Sequence, residues 1–188
     1  AGREPFGIDH RRVDETRAEQ LDPEGLVKML NEYFSVMSDI IFKYHGTLDK
    51  YIGDALMASF GVPYARPDDA FRAVAAALDM MAALEGLKAK WNFAGKDAFD
   101  IGIGINTGEV VAGNIGSEKR LEYTVIGDSV NLASRLESLN KEFKTHILIS
   151  EFTYALVKDK IEARFIDKVT VKGKTEAIGV WEVVKLNG

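Results

Sequence analysis

Asn131 and Arg135 stand four residues apart in Glu122-Tyr-Thr-Val-Ile-Gly-Asp-Ser-Val-Asn-Leu-Ala-Ser-Arg135. On a helix that spacing sets an amide and a guanidinium side by side on one face. A guanidinium is a rigid, permanently charged fork of donors, suited to phosphate oxygens. A second stretch, Leu48-Asp-Lys-Tyr-Ile-Gly-Asp-Ala55, carries Lys50 and Asp54 around Gly53. A glycine in a tight turn lets a carboxylate and the backbone approach a ligand closely. Magnesium takes a few carboxylate oxygens together with substrate phosphates. Asp54 is therefore a candidate metal ligand, and on a strand Lys50 would share its face. An ordinary hairpin with aspartate in its turn has the same composition. The chemistry these residues could do is electrostatic: gripping a metal-bound polyphosphate. Disulfides and thiolate metal sites are excluded, because the chain has no cysteine. His10, His45 and His146 are scattered and lack zinc-type spacing.

The elements that must position these groups follow from periodicity. Asp22-Pro23 opens a helix, with aspartate as cap and proline in the first turn. Leu26, Met29, Leu30, Tyr33, Phe34, Met37, Ile41 and Tyr44 recur at helical spacing up to Gly46. Two short strands, 47–52 and 55–60, join tightly at Gly53-Asp54, and a loop leads to an alanine-rich helix over 68–91. Alternation around isoleucines predicts a strand over 99–106, which Thr107-Gly108 turns into a second strand, 109–115. A third strand spans 121–126. Asp128-Ser129 are expected to cap a helix to residue 143. A strand over 145–150, a short helix over 151–157 and a closing hairpin, 163–171 with 179–184, complete the chain. Tight hairpins interleaved with helices imply an α+β fold, a mixed sheet with helices on one face. Gly102 and Gly104 lie inside a strand pattern, so close backbone packing explains them better than a phosphate loop. Lys141, Lys144, Lys158 and Lys160 read as a solvated surface.

The bulk numbers narrow the class. A chain of 188 residues suits one domain with a real core. Apolar content of 46% and charged content of 28% are those of a globular protein. With 24 basic and 29 acidic residues the net charge is −5, which argues against a nucleic-acid partner. No apolar run has the length of a membrane span and no signal-peptide pattern opens the chain, so a cytoplasmic domain without membrane insertion is expected.

Taken together, the Lys50–Asp54 stretch and the Thr124–Arg135 stretch resemble the catalytic domain of the class III nucleotide cyclases. A Val171-Lys-Gly-Lys174 segment follows in the family's order. The resemblance covers about residues 21–186, leaving 1–20 as an atypical N-terminal segment ahead of a 21–188 catalytic domain. It implies a ferredoxin-like core with an additional C-terminal hairpin. It implies cyclisation of a nucleoside triphosphate, with two Mg2+ or Mn2+ ions per site and an active site shared across a homodimer. By position, Lys50 and Thr124 match the base-recognising residues, Asn131 the ribose-positioning asparagine, Arg135 the transition-state arginine and Lys172 the phosphate lysine. Asp54 matches the second metal aspartate, and Asp9, in Phe6-Gly-Ile-Asp9, stands nearest the first, although the Gly-Phe-Thr-like turn of the family is absent. Lys50 and Asp54 are expected from one subunit, and Thr124, Asn131 and Arg135 from the other. Lysine with threonine goes with ATP in the family, so an adenylate cyclase is expected. A guanylate cyclase, or a degenerate homology domain that binds nucleotide and dimerises without turnover, are the alternatives. An upstream regulatory domain in a longer protein is also implied.

Overall fold

The computed structural model describes residues 23–91, 100–170 and 177–188. Asp9, Lys172, the Asp22 cap and the atypical segment 1–20 lie outside the described residues.

Helix α1 (Pro23–Lys43) starts on the expected proline, where a missing N–H costs no helical hydrogen bond. Met29, Tyr33, Met37 and Ile41 are buried one turn apart. Its last carbonyls are met by the turn that follows, where the Tyr44, Gly46 and His45 amides donate to the Ile40, Ile41 and Phe42 carbonyls. Arg72 holds that turn, donating from Nη1 to the Tyr44 and His45 carbonyls at 2.5 and 3.2 Å. Asp68 and Asp69 balance that guanidinium. Arg72 belongs to α2 (Asp69–Lys90), whose Ala73, Val74, Ala77, Met80 and Leu84 are buried in the same cluster as α1.

Strands β1 (Thr47–Ile52) and β2 (Ala55–Ser59) form an antiparallel pair. The largest sheet is mixed, in the order β3-β6-β8-β7. It contains β3 (Ile103–Ile105), β6 (Ile147–Ser150), β7 (Ile161–Thr170) and β8 (Ala177–Leu186). Strand β3 runs parallel to β6, while β6–β8 and β7–β8 are antiparallel. Strands β4 (Val111–Ser117) and β5 (Arg120–Ile126) make a separate two-stranded ribbon. Among the described residues the remaining helices are α3 (Asp128–Phe143) and α4 (Glu151–Val157).

The architecture is α+β with a mixed sheet, as expected, but two details differ. Helices cover both faces of the sheet rather than one. Ile147 and Ile149 of β6 face the α1–α2 cluster, while Leu148 between them packs with Leu132 and Leu136 of α3. A strand buried along its whole length needs cover on both sides. The predicted hairpin from β3 through Thr107-Gly108 is also absent. Thr107 is buried with its hydroxyl 3.0 Å from that of Thr153, and Gly108 lies against Ser129. The chain is thus held beneath α3 and α4 instead of turning back along β3, and β6 becomes its neighbour.

Gly104 sets how close α3 can lie. A Cβ there would land on the backbone of Ala133 and Glu137. Gly104→Ala is therefore expected to destabilise the domain by about 3 kcal/mol, since overpacked cores relieve such clashes only by moving backbone; a urea titration measures this. Elsewhere Asp79 accepts from Lys43 Nζ at 2.6 Å and from the Tyr44 hydroxyl at 2.9 Å. The Lys43 hydrogen bond holds the Asp79 carboxyl below its ordinary pKa against an opposing effect of burial. A carboxylate lowered in this way stabilises above its unfolded pKa and loses that contribution as pH falls through the folded value. The urea-midpoint gap between wild type and Asp79→Asn should accordingly close as pH drops below about 4.

Candidate active site

The exposed face of α3 is fixed by its buried one. Leu132, Ala133, Leu136 and Asn140 are buried, which leaves Asn131 and Arg135 exposed on the opposite side. Asn140 Nδ2 donates to the Ile103 carbonyl at 3.1 Å. At the other end of the helix, Asn106 Nδ2 donates to the Ser129 carbonyl at 2.9 Å while its Oδ1 accepts from Ser150 at 2.7 Å. Both ends of α3 are thereby pinned to the sheet by buried amides. The expected Asp128-Ser129 cap is corrected: Gly127 occupies the N-cap with φ 148°, and Asp128 is the first helical residue. An aspartate in the first turn still favours the helix dipole. Arg135 Nη1 reaches the Thr170 carbonyl at 3.5 Å. Thr170 immediately precedes Val171-Lys172, so the arginine stands at the root of the segment that carries the predicted phosphate lysine.

The β1–β2 hairpin closes through a two-residue turn, with Ile52 opposite Ala55. Its first turn residue, Gly53, has φ 64°, which a residue with a Cβ adopts at a cost. Asp54 is the second turn residue, half-buried at the tip. It is not on a strand, so the expected shared face with Lys50 does not hold. Its carboxylate makes no hydrogen bond or ion pair with other described residues. The hairpin is tied back to α1, with the Tyr51 and Ser38 hydroxyls 2.9 Å apart and the Tyr51 ring 4.5 Å from that of Phe34.

The pairing of β1 with β2 slips between Leu48 and Lys50, leaving Asp49 as the extra residue of a bulge. The turned carboxylate crosses to β5. Asp49 Oδ2 accepts from the Thr124 hydroxyl at 2.8 Å and from the Val125 amide at 3.2 Å. Lys50 Nζ lies 3.9 Å from Asp49 Oδ1 and 3.6 Å from Glu122 Oε2. Glu122 is held below its ordinary pKa, first by Arg120 and then by Lys50. Lys50 and Thr124 therefore meet within one chain, which corrects the expected division that placed them on different subunits. Asp49 is the residue that sequence reasoning passed over. An acid beside the lysine was the only signal, and regular alternation would turn it to the opposite face.

As a metal site the arrangement fits in part. Asp54 offers an unengaged carboxylate at a hairpin tip. Among the described residues no three His, Cys, Asp or Glu side chains cluster as a metal site. Asp54 would therefore be one ligand among others brought from elsewhere.

The model of the adenylate and guanylate cyclase catalytic domain matches residues 14–183. The chain belongs to that family. It is 36% identical over 169 residues to Adenylate cyclase 1 of Rhizobium meliloti, covering 90% of this chain and 25% of the relative. The chain thus spans about a quarter of that protein's length. The solved adenylyl cyclase CyaB from P. aeruginosa superposes with a TM-score of 0.88 at 36% identity, covering 98% of this chain and 95% of that one. The guanylyl cyclase Cya2 superposes at 0.83 with 39% identity, covering 99% and 95%. The cyclase fold therefore accounts for nearly the whole chain.

Proposed function

We propose that this domain is an adenylate cyclase, converting ATP to 3′,5′-cyclic AMP and pyrophosphate at sites shared by two copies of the chain. The observation that carries this is the convergence of Lys50 and Thr124 on Asp49 within one chain. A lysine ammonium only donates, while a threonine hydroxyl can accept. Together they match adenine, with lysine donating to N1 and threonine accepting from the N6 amine. Asn131 and Arg135, on the open face of α3, would then lie over the ribose and the α-phosphate.

The reaction is in-line attack by the ribose 3′-oxygen on the α-phosphorus. The 3′-hydroxyl gives up its proton to solvent, a new P–O bond forms, the bridging bond to the β-phosphate breaks and pyrophosphate leaves. Asn131 orients the ribose, and Arg135 stabilises negative charge as it develops on the phosphoryl oxygens. Lys172 holds the leaving phosphates. Asp54, with Asp9, would hold Mg2+ or Mn2+, which would supply positive charge to polarise the phosphate and acidify the 3′-hydroxyl. Lys50, Thr124, Asn131 and Arg135 of one subunit face Asp54 of the partner subunit. The β4–β5 ribbon supports association, with Val111, Leu121 and Ile126 being 65%, 60% and 49% exposed in the single chain. Among the described residues no helix is long and apolar enough to cross a membrane. The domain draws its ATP from the cytoplasm, under a regulatory domain in the longer protein. The similarity to a solved guanylyl cyclase supports a second reading, GTP as substrate.

Product formation from ATP and from GTP, with Mn2+ and with Mg2+, decides between these. Cyclic AMP should dominate, with specific activity rising as protein concentration rises. Cyclic GMP as the main product would establish the second reading, and no cyclic product would point to a binding module. Arg135→Ala should lower kcat about 100-fold or more with a much smaller change in KM; equal losses in kcat and affinity would remove Arg135 from the transition state. Asp54→Ala and Arg135→Ala chains should each retain only a small fraction of wild-type activity alone. Mixed, they should recover activity through the one intact site of each heterodimer, and no recovery would exclude a shared site.

A further inference from the structure

We infer that Asp49 is the residue that fixes which purine this site accepts, by locking the Thr124 hydroxyl into a single hydrogen-bonding role. The inference rests on the adenylate cyclase reading and deepens it. A hydroxyl is ambivalent: it has one proton to donate and two lone pairs that accept. Left to rotate, Thr124 could accept from the N6 amine of adenine or donate to O6 of guanine. The 2.8 Å bond to Asp49 removes that choice. A carboxylate accepts and does not donate, so the threonine proton is committed to Asp49 and only lone pairs remain for the base.

The geometry makes the commitment firm. The Asp49 side chain is only 4% exposed, so water does not compete for the threonine proton. The Val125 amide donates to the same carboxylate oxygen at 3.2 Å, which orients the carboxylate and prevents its exchange for a donor. The bulge at Asp49 is what lets this side chain cross to β5. Among the described residues the buried Asp49 Oδ1 has no hydrogen-bond partner. It lies 3.9 Å from Lys50 Nζ, which Glu122 Oε2 also meets at 3.6 Å, so two carboxylates hold the ammonium. Asp49 thus sets the threonine half of a donor–acceptor pattern and shares the lysine half: Lys50 donating and Thr124 accepting. That pattern complements N1 and N6 of adenine and opposes N1–H and O6 of guanine. Asp49 touches neither reacting atoms nor metal and is a positioning residue.

The test compares kcat/KM for ATP, GTP and purine riboside triphosphate, which lacks the N6 amine. It uses the wild type, Asp49→Ala, Asp49→Asn, Thr124→Val and the Asp49→Ala/Thr124→Val double variant, each checked for folding by a thermal melt. Asp49→Ala should reduce the ATP preference over both other nucleotides about tenfold, the worth of one well-placed hydrogen bond. Asp49→Asn keeps an oxygen to accept from Thr124 and Val125 and should retain the preference. Thr124→Val should lose it, and adding Asp49→Ala to that background should change the ratio no further. Asp49→Ser, too short to reach Thr124, replaces the alanine variant if alanine prevents folding. If turnover is too slow, the same ratios are read from displacement of a fluorescent ATP analogue. A uniform fall for all three nucleotides with the ratios unmoved would overturn the inference and leave Asp49 a structural residue, with the adenylate reading intact. A wild type that prefers GTP would overturn both.

Discussion

The contact on which the rest of the molecule depends is the approach of α3 to β3 across Gly104. No side chain fits there, because the space of a Cβ is already taken by the backbone of Ala133 and Glu137. A helix that lies so low on the sheet buries Leu132 and Leu136 against Leu148, Ile178 and Val180. Its other face is then committed to solvent, and Asn131 and Arg135 are on it. Buried amides at both ends, Asn106 and Asn140, remove the remaining freedom to slide or roll. A buried hydrogen bond left unmade is costly, so these two side chains act as locators. The placement of the exposed pair is therefore set by buried groups on the other side of the helix.

Lys50 and Thr124, the proposed base-recognising residues, are held by a different device. Lys50 and Thr124 stand on hairpins that belong to separate sheets. The Asp49 carboxylate joins them, and it can do so because a bulge spends one residue on the crossing. Asn131 and Arg135 are thus referenced to the main sheet, and Lys50 and Thr124 to the junction of two hairpins. Arg135, leaning on the Thr170 carbonyl, connects α3 to the end of β7.

Much of this was legible in the sequence. The buried stripe of α1 follows from Met29, Tyr33, Met37 and Ile41, and the β1–β2 hairpin from Gly53-Asp54, because local periodicity and turn chemistry decide both. The Asn131–Arg135 pair was legible for the same reason, since helical spacing alone places it. What was not legible is what tertiary contacts decide. The partner of β3 depends on where Thr107 and Gly108 are held, and nothing within 99–115 encodes Thr153 or Ser129. The cover on both faces of the sheet depends on how α3 returns, which alternation within β6 does not specify. Asp49 is the clearest case. A regular strand would turn it away from Lys50, and a bulge has no reliable mark in the residue types that form it.

The bond between Asp49 and Thr124 spans two hairpins that share no ladder hydrogen bonds among the described residues. A two-stranded ribbon such as β4–β5 has little stability of its own, and proteins open locally well before they unfold globally. On the inference drawn above, the hydroxyl is released when the ribbon lifts from β1, while α3 and its arginine stay seated on the sheet. Accuracy of base choice and capacity for turnover then fail at different temperatures. Warming the domain would make it careless before it made it inactive.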